Sequence, residues 1–207
     1  MKIAFLNINR LRGNKLTKIF PEFYELKNVI ENNDWHHNDS VFNHTIKVLI
    51  SMEKLLKKCN YKINKYLNKK LNNHSRKQLL FLGAMLHDIG KKETIVVKDN
   101  VTYCPQHEIK GIRKAHKILR YFNLSAQEEK FVINLIQNHT EAHNMPDMNN
   151  KSFGNFKMRH KDYFIELVLL VVADQMGSDL RKKYPKEFKI RMNFYNTLLI
   201  NVYKKFL

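Results

Sequence analysis

The segment that most constrains the fold is LFLGAMLHDIGKKE, residues 80–93, in which an apolar run leads directly into His87 and Asp88. Apolar side chains on every side predict a buried central helix over residues 76–88, ended by Gly90 as a C-terminal glycine. Burying an imidazole and a carboxylate at the end of such a helix costs several kcal/mol unless other groups compensate them. The fold must therefore supply partners for these two side chains.

The remaining sequence predicts helices around this segment and very little sheet. Of the 207 residues, 43% are hydrophobic and 27% are charged, which suffices for one globular core. The segments TIVV and VTYC around KDN, residues 94–104, predict a short β-hairpin as the only sheet. We expect an all-α helical bundle forming one domain over residues 1–207. Its core should cover about residues 20–180, with a C-terminal helix over about 185–206 packed on it.

Two features of the sequence predict the cellular compartment of the protein. Cys59 and Cys104 are far apart and form no CxxC pair, so neither a disulfide framework nor a thiolate zinc site is indicated. The N-terminal apolar patch is too short for a signal peptide, and no run of about 18 apolar residues occurs. We expect a soluble cytoplasmic protein without a membrane partner; its oligomeric state is not indicated.

The formal net charge of +18 favours either nucleic acid binding or a biased composition. The chain has 29 Lys, 8 Arg and 24 Asn, a profile typical of an A/T-rich coding sequence. However, the segment from Lys54 to Lys77 holds nine basic residues and no acid, as a surface that follows RNA phosphates would need. Both interpretations stay open.

Further polar side chains also face predicted apolar interiors. His44 lies on or beside the inward stripe of a helix that Asp39 or Ser40 can cap. His139 lies on the inner face of a helix that begins with a Ser125 and Glu128 capping box. Asp174 lies at the inner end of an almost wholly apolar helix, and His107 begins a helix just after the hairpin. A bound divalent cation would compensate all of them, because imidazole and carboxylate are ligands of Mn, Fe, Ni, Co, Mg or Zn.

The order of these residues resembles the HD superfamily of metal-dependent phosphohydrolases. The resemblance rests on FNHTIKVL around His44, HDIGK at His87 and Asp88, and LLVVADQMG around Asp174, and it covers roughly residues 20–180. It implies a metal bound by His44, His87, Asp88 and Asp174. HEIKG at His107 and LIQNHT at His139 match the two histidines that members with a second ion add.

The resemblance is strongest to the HD region of bacterial CCA-adding tRNA nucleotidyltransferases. It rests on IFPEFYELKNV, WHHNDSVFNHTIKVL and YCPQHEIKGIRKAHKILRYFNLS. Nucleotide addition needs a separate head with a Gly-rich loop and an Asp-x-Asp pair, and these 207 residues contain no Asp-x-Asp. We therefore expect a stand-alone HD domain without nucleotidyltransferase activity.

These observations favour hydrolysis of a phosphoester of a nucleotide, another phosphorylated small molecule or an RNA end. One or two divalent ions would activate water, with Asp88 placed to bridge them. Lys91 would offer its ammonium to a phosphate oxygen, and His37 in WHHND would line the pocket. The polar segment 140–160 is long for a connection, which favours a lid or a mobile loop that contacts substrate.

Two alternatives keep the same scaffold. Some HD proteins with this ligand order hold two irons and oxidise small molecules with O₂, which iron charge-transfer colour and oxygen uptake would reveal. A non-catalytic RNA-binding or regulatory module would use the Lys54 to Lys77 stretch, and its salt-dependent RNA affinity would survive loss of metal. The presence of all six predicted ligands argues against a catalytically inactive site.

Overall fold

The computed structural model describes residues 1–205 and shows a mostly helical protein with two short antiparallel hairpins. The helices are α1 Ile8–Arg12, α2 Pro21–Tyr24, α3 Val41–Lys58, α4 Tyr61–Asn68, α5 Arg76–Leu86, α6 His107–Leu119, α7 Ala126–His143, α8 Asn150–Arg159, α9 Phe164–Gly177, α10 Leu180–Lys183 and α11 Pro185–Lys205. The strands are β1 Ile30–Asn32, β2 His37–Ser40, β3 Val96–Lys98 and β4 Val101–Tyr103. The predicted helical bundle is confirmed; residue 206 of the predicted last helix lies outside the described residues.

The core is organised around α9, whose residues are buried on almost every side. Helix α3 packs along α9, and α7 packs against α5, α6 and α9. Gly83 lets α5 approach α7 closely, because a Cβ there would lie 2.7 Å from Leu135 Cδ1. Five helices therefore meet in one core, and their inner faces deliver the polar side chains described below.

Local sequence explains where the site-bearing helices begin. Of the two predicted caps of α3, Ser40 is the one that accepts a hydrogen bond from the Asn43 amide. Ser125 and Glu128 form the predicted capping box of α7. These caps satisfy amide groups that a helix start leaves unpaired, which fixes the registers that turn His44 and His139 inward.

Helix α5 ends at Leu86, two residues before the predicted end, and Gly90 has a different role from the expected one. Its φ of −88° is ordinary, so it does not provide a left-handed C-terminal cap. A Cβ on Gly90 would lie 2.1 Å from the His107 carbonyl oxygen and 2.4 Å from the Gly111 nitrogen. Gly90 is required because the backbone after α5 touches the start of α6, which brings Asp88 beside His107.

The prediction of a single hairpin was wrong. The predicted β3–β4 hairpin is present, with Asp99 and Asn100 both at positive φ in its two-residue turn. A second hairpin pairs β1 with β2 through an irregular register at Glu31 and Asn32. Its sequence is polar and short, so it lacks the alternation of β-branched residues that predicts a strand.

The segment 140–160 is also not the long loop that was expected. Helix α7 continues to His143, and α8 begins after Asn149, whose side chain caps it by accepting a hydrogen bond from the Ser152 amide. Phe156 is fully buried and packs against Phe164, which ties α8 to the core. This burial outweighs the polar composition that suggested a lid.

Among the described residues, none of the helices is both long enough and apolar enough to cross a membrane.

Candidate metal centre

The structure brings the six predicted ligands together: five of them line the floor of one cavity, and His87 is fully buried beside them. Five are buried and Asp174 is partly exposed to the cavity. They lie on α3 (His44), in the turn after α5 (His87 and Asp88), at the start of α6 (His107), on α7 (His139) and on α9 (Asp174). The functional assignment of each residue as a ligand stays a prediction.

Asp88 is at the centre of this group. Its Oδ2 lies 3.2 Å from His87 Nε2 and 3.6 Å from His44 Nε2. Its Oδ1 lies 3.2 Å from His107 Nε2 and 3.7 Å from His139 Nε2. The two carboxylate oxygens thus face two different pairs of histidines, which is the arrangement that a carboxylate bridging two cations requires.

Asp174 completes the first of these two groups. Its Oδ1 lies 2.8 Å from His44 Nε2 and 3.8 Å from His87 Nε2. Its Oδ2 lies 2.7 Å from His143 Nε2, so His143 fixes the orientation of this carboxylate. The first group therefore comprises His44, His87, Asp88 and Asp174, and the second comprises Asp88, His107 and His139.

The ring orientations of three histidines favour metal binding. Each Nδ1 lies at hydrogen-bond distance from the backbone carbonyl three residues earlier. The pairs are His87 with Ala84 at 2.8 Å, His107 with Cys104 at 2.8 Å and His139 with Ile136 at 2.7 Å. A proton on Nδ1 leaves the Nε2 lone pair available, as in protein metal sites where a carbonyl orients the ligand histidine.

The spacing of the histidines provides a further test of this fit. His107 Nε2 lies 3.1 Å from His139 Nε2. This is hydrogen-bond distance, so in the metal-free protein one of the two nitrogens carries a proton. Burial would lower the His107 pKa, but Asp88 outweighs it and raises this pKa, which favours that proton on His107. A cation near Asp88 Oδ1 would take the place of the proton and bind both nitrogens. The buried Nε2 of His87 has no hydrogen bond of acceptable geometry. The residues therefore fit a divalent cation of the type that accepts nitrogen and oxygen ligands.

In the metal-free protein, the close packing of these histidines and aspartates shifts their pKa values. Burial opposes a charge on His87, but Asp88 and Asp174 outweigh it and raise the His87 pKa to about 9. Burial lowers the pKa of His139 to about 4. Although burial alone would raise the carboxyl pKa values, His87 and Lys91 hold that of Asp88 well below its usual range, and His44 and His143 do so for Asp174. The aspartates are thus carboxylates at neutral pH.

Lys91 lies at the edge of the floor and is buried. Its Nζ lies 2.9 Å from Glu31 Oε2 and 3.0 Å from Asp88 Oδ2. Burial would lower the Lys91 pKa, but these two carboxylates outweigh it and raise it, so the ammonium stays charged. Glu31 could not be selected from the sequence alone, because its partner Lys91 is 60 residues away.

The structure places His37 outside the cavity and His36 inside it. His36 is buried, with Nε2 3.7 Å from Glu31 Oε2 and its ring packed on His44. His37 is exposed, and its backbone amide donates to Asp179 Oδ2. Neighbouring side chains of an extended segment point in opposite directions, so the expectation that His37 lines the pocket is corrected in favour of His36.

The cavity above the floor has a volume of about 600 Å³. Its upper wall is formed by the turn between β1 and β2, including Trp35, and by Tyr103 at the end of β4. His143, which contacts Trp35, and Asn144 also line the cavity. Such a volume accommodates a small organic ligand over the floor.

The comparisons with known proteins agree with this site. Residues 41–177 match the family model described as "HD domain", a stretch that begins before His44 and ends after Asp174. The chain is 26% identical over 167 residues to proteins named "Multifunctional CCA protein" from Actinobacillus pleuropneumoniae serotype 5b (strain L20) and serotype 7 (strain AP76). The match covers 78% of this chain and 36% of each relative, so the chain spans little more than a third of their length. The family match and the site geometry together show that the chain belongs to the HD domain family, within the superfamily of metal-dependent phosphohydrolases.

Proposed function

We propose that this protein is a metal-dependent phosphohydrolase that acts on a phosphate ester of a nucleotide or of an RNA end. The observation that carries the proposal is the position of Asp88, whose two oxygens face separate histidine pairs beside a buried ammonium. Bridging carboxylates of this kind are typical of two-metal phosphoester hydrolysis.

His44, His87, Asp88 and Asp174 would hold one ion, and Asp88, His107 and His139 a second. A bound divalent ion of this type supplies an activated water and polarises a phosphoryl oxygen. The charge of the floor supports this assignment. In the metal-free protein the carboxylates of Glu31, Asp88 and Asp174 outnumber the positive charges of Lys91 and the protonated His87. The floor is therefore net negative, and a bound cation is needed to attract a phosphate.

The side chains next to the ligands have separate tasks in the proposal. Lys91 is held by Glu31 at the edge of the floor, where its ammonium offers a positive charge to a non-bridging phosphate oxygen. His143 donates to Asp174 Oδ2 and keeps Oδ1 turned toward His44. Orienting partners of this kind maintain ligand geometry and contribute to affinity for the metal.

The identity of the substrate as a nucleotide or an RNA end is a more specific part of the proposal than the reaction type. It is supported by the resemblance to CCA-adding enzymes and by the basic stretch from Lys54 to Lys77, which includes α4. A phosphorylated small molecule without a base is the competing substrate class.

A substrate screen tests the proposal. Purified protein would be incubated with phosphomonoesters, 2′,3′-cyclic nucleotides, dinucleoside polyphosphates and cyclic dinucleotides, each with several divalent ions. We expect hydrolysis of at least one nucleotide class, abolished by a chelator and restored by adding metal. Hydrolysis of none of these compounds in a metal-loaded protein would refute the proposal. Oxygen uptake by iron-loaded protein would replace it with the oxidative alternative.

A further inference from the structure

The rim of the cavity carries the only tryptophan of the chain. Trp35 lies in the turn between β1 and β2, is partly exposed, and lines the cavity together with Tyr103 from the other hairpin. Tyr103 is 52% exposed. Two aromatic side chains from two different hairpins therefore border the opening above the metal-binding floor.

The backbone of Trp35 is held firmly in place. Its amide donates to Asn33 Oδ1 at 2.9 Å, and its carbonyl accepts from the Asp179 amide at 2.8 Å. These bonds anchor the turn to the start of α10. Trp35 is thus a preorganised surface, so a ligand that stacks on it does not have to order it first.

The indole is also connected to the floor. Its ring packs edge-on against His143, with centroids 5.4 Å apart, and His143 bonds to Asp174. The Arg191 guanidinium lies 5.7 Å from the indole centroid and donates to the His143 carbonyl. An aromatic group stacked on Trp35 would therefore lie beside the metal-binding side chains.

The distribution of charge orients a ligand in this cavity. Among the described lining residues, the rim carries the carboxylate of Asp34 and no lysine or arginine, whereas Lys91 lies at the floor. Two cations lie next to the rim: Arg191 is paired with Asp147 and Glu187, and Lys183 donates to the Asn33 carbonyl. The strongest site for a phosphate is therefore the floor, once divalent cations are bound there. The rim is suited to the uncharged aromatic part of the same molecule.

We propose that Trp35 and Tyr103 form a nucleobase subsite, in which the base of the substrate stacks on Trp35 while its phosphate lies on the floor. This inference rests on the proposed function for the phosphate and adds the side chains that recognise the base, which would favour a nucleotide over a sugar phosphate. Stacking recognises any base by its π-face, so it selects for a base without selecting strongly among bases.

The first test measures binding without hydrolysis. Because Trp35 is the only tryptophan, selectively excited fluorescence reports on this one side chain. Metal-free wild-type protein would be titrated with adenosine, uridine and ribose. We expect saturable quenching by both nucleosides and none by ribose. Absence of nucleoside quenching would overturn the subsite, and the hydrolysis screen would still stand.

The second test measures selectivity with metal-loaded enzyme. The ratio of kcat/KM for adenosine monophosphates to that for ribose 5-phosphate would be compared in wild type, Trp35→Phe, Trp35→Leu and Tyr121→Leu. Loss of the stacking ring in Trp35→Leu should lower the ratio by about 10-fold, mainly through KM for the nucleotide. Trp35→Phe should retain most of it. Tyr121→Leu removes an exposed aromatic side chain outside the cavity and outside the basic stretch, and it should leave the ratio unchanged.

The outcomes separate the two proposals. An unchanged ratio in Trp35→Leu overturns the subsite and leaves phosphohydrolase activity intact. Saturable nucleoside quenching in a protein that hydrolyses no phosphoester supports the subsite and refutes the proposed function. The concentration needed for half-maximal quenching of Trp35 distinguishes the two sources of the base. A short RNA that quenches at much lower concentration than adenosine identifies an RNA end. Quenching at equal concentrations identifies a free nucleotide.

Discussion

The floor and the rim of the cavity are built from different elements and held in different ways. The floor side chains come from five helices or their ends and are almost all buried, with Asp88 in contact with both histidine pairs. The rim side chains come from two hairpins, remain partly exposed and depend on backbone hydrogen bonds. A change in the floor should therefore alter several groups together, whereas a change in the rim should alter only recognition.

Asp88→Ala should have the largest effect, because it removes the one carboxylate shared by both ligand groups. We expect loss of hydrolysis by about 1,000-fold or more, corresponding to several kcal/mol of transition-state stabilisation, and a lower metal content. Initial rates, metal analysis and circular dichroism would measure this. Activity within a few-fold of wild type, with the helical signal intact, would show that the floor is not the reactive site.

Lys91→Ala should destabilise the protein as well as slow the reaction. It leaves the 3% exposed Glu31 without its cation, and an unpaired buried charge costs about 3–5 kcal/mol. Denaturant unfolding of the metal-free protein would measure the loss. The double variant Glu31→Gln, Lys91→Met should recover most of it, because neither remaining side chain is charged.

The same two variants separate the stabilising role of Lys91 from its catalytic role. Both should keep their metal, and both should show turnover about 10-fold or more below wild type, since both lack the ammonium. If the double variant regains stability and also full turnover, Lys91 does not contact the phosphate. If Lys91→Ala loses its metal, the residue supports the ligands instead.

The His107→Ala, His139→Ala variant tests whether the floor holds two ions. Wild type saturated with a transition metal should bind about two equivalents per chain, because Asp88 faces two separate histidine pairs. The double variant should bind about one, through His44, His87, Asp88 and Asp174. Metal analysis after removal of loosely bound ions would measure this. One ion in wild type, retained by the variant, would refute the two-metal arrangement.

The side chains that face the floor could be predicted from the sequence because helical periodicity is a strong signal. An imidazole or carboxylate on an apolar helix face, as at His44, His139 and Asp174, is costly enough to stand out. HDIGK then connects these positions to a known family. The structure adds their proximity, which depends on contacts such as that between Gly90 and Gly111.

The rim could not be predicted in the same way. The β1–β2 hairpin is short, polar and irregular, and a shift of one residue along an extended segment exchanges inward and outward side chains. His37 was therefore selected where His36 faces the cavity. Glu31 and His143 were missed because their partners, Lys91 and Asp174, are distant in sequence and only the fold brings them together.

The last prediction concerns pH, needs no substitution and distinguishes the floor from the rim directly. The His87 pKa of about 9 in the metal-free protein means that the ring is protonated at neutral pH, and a metal must displace that proton. Because this pKa is raised, metal affinity should increase by up to about 10-fold per pH unit as pH rises toward 9 and level off above it. Isothermal titration calorimetry in buffers of different ionisation enthalpy would count the released protons. Adenosine quenching of Trp35 involves neither His87 nor the ion, so it should stay constant over the same pH range. A pH-independent metal affinity would show that the His87 ring does not bind the ion, and adenosine quenching that followed the His87 titration would show that floor and rim are coupled.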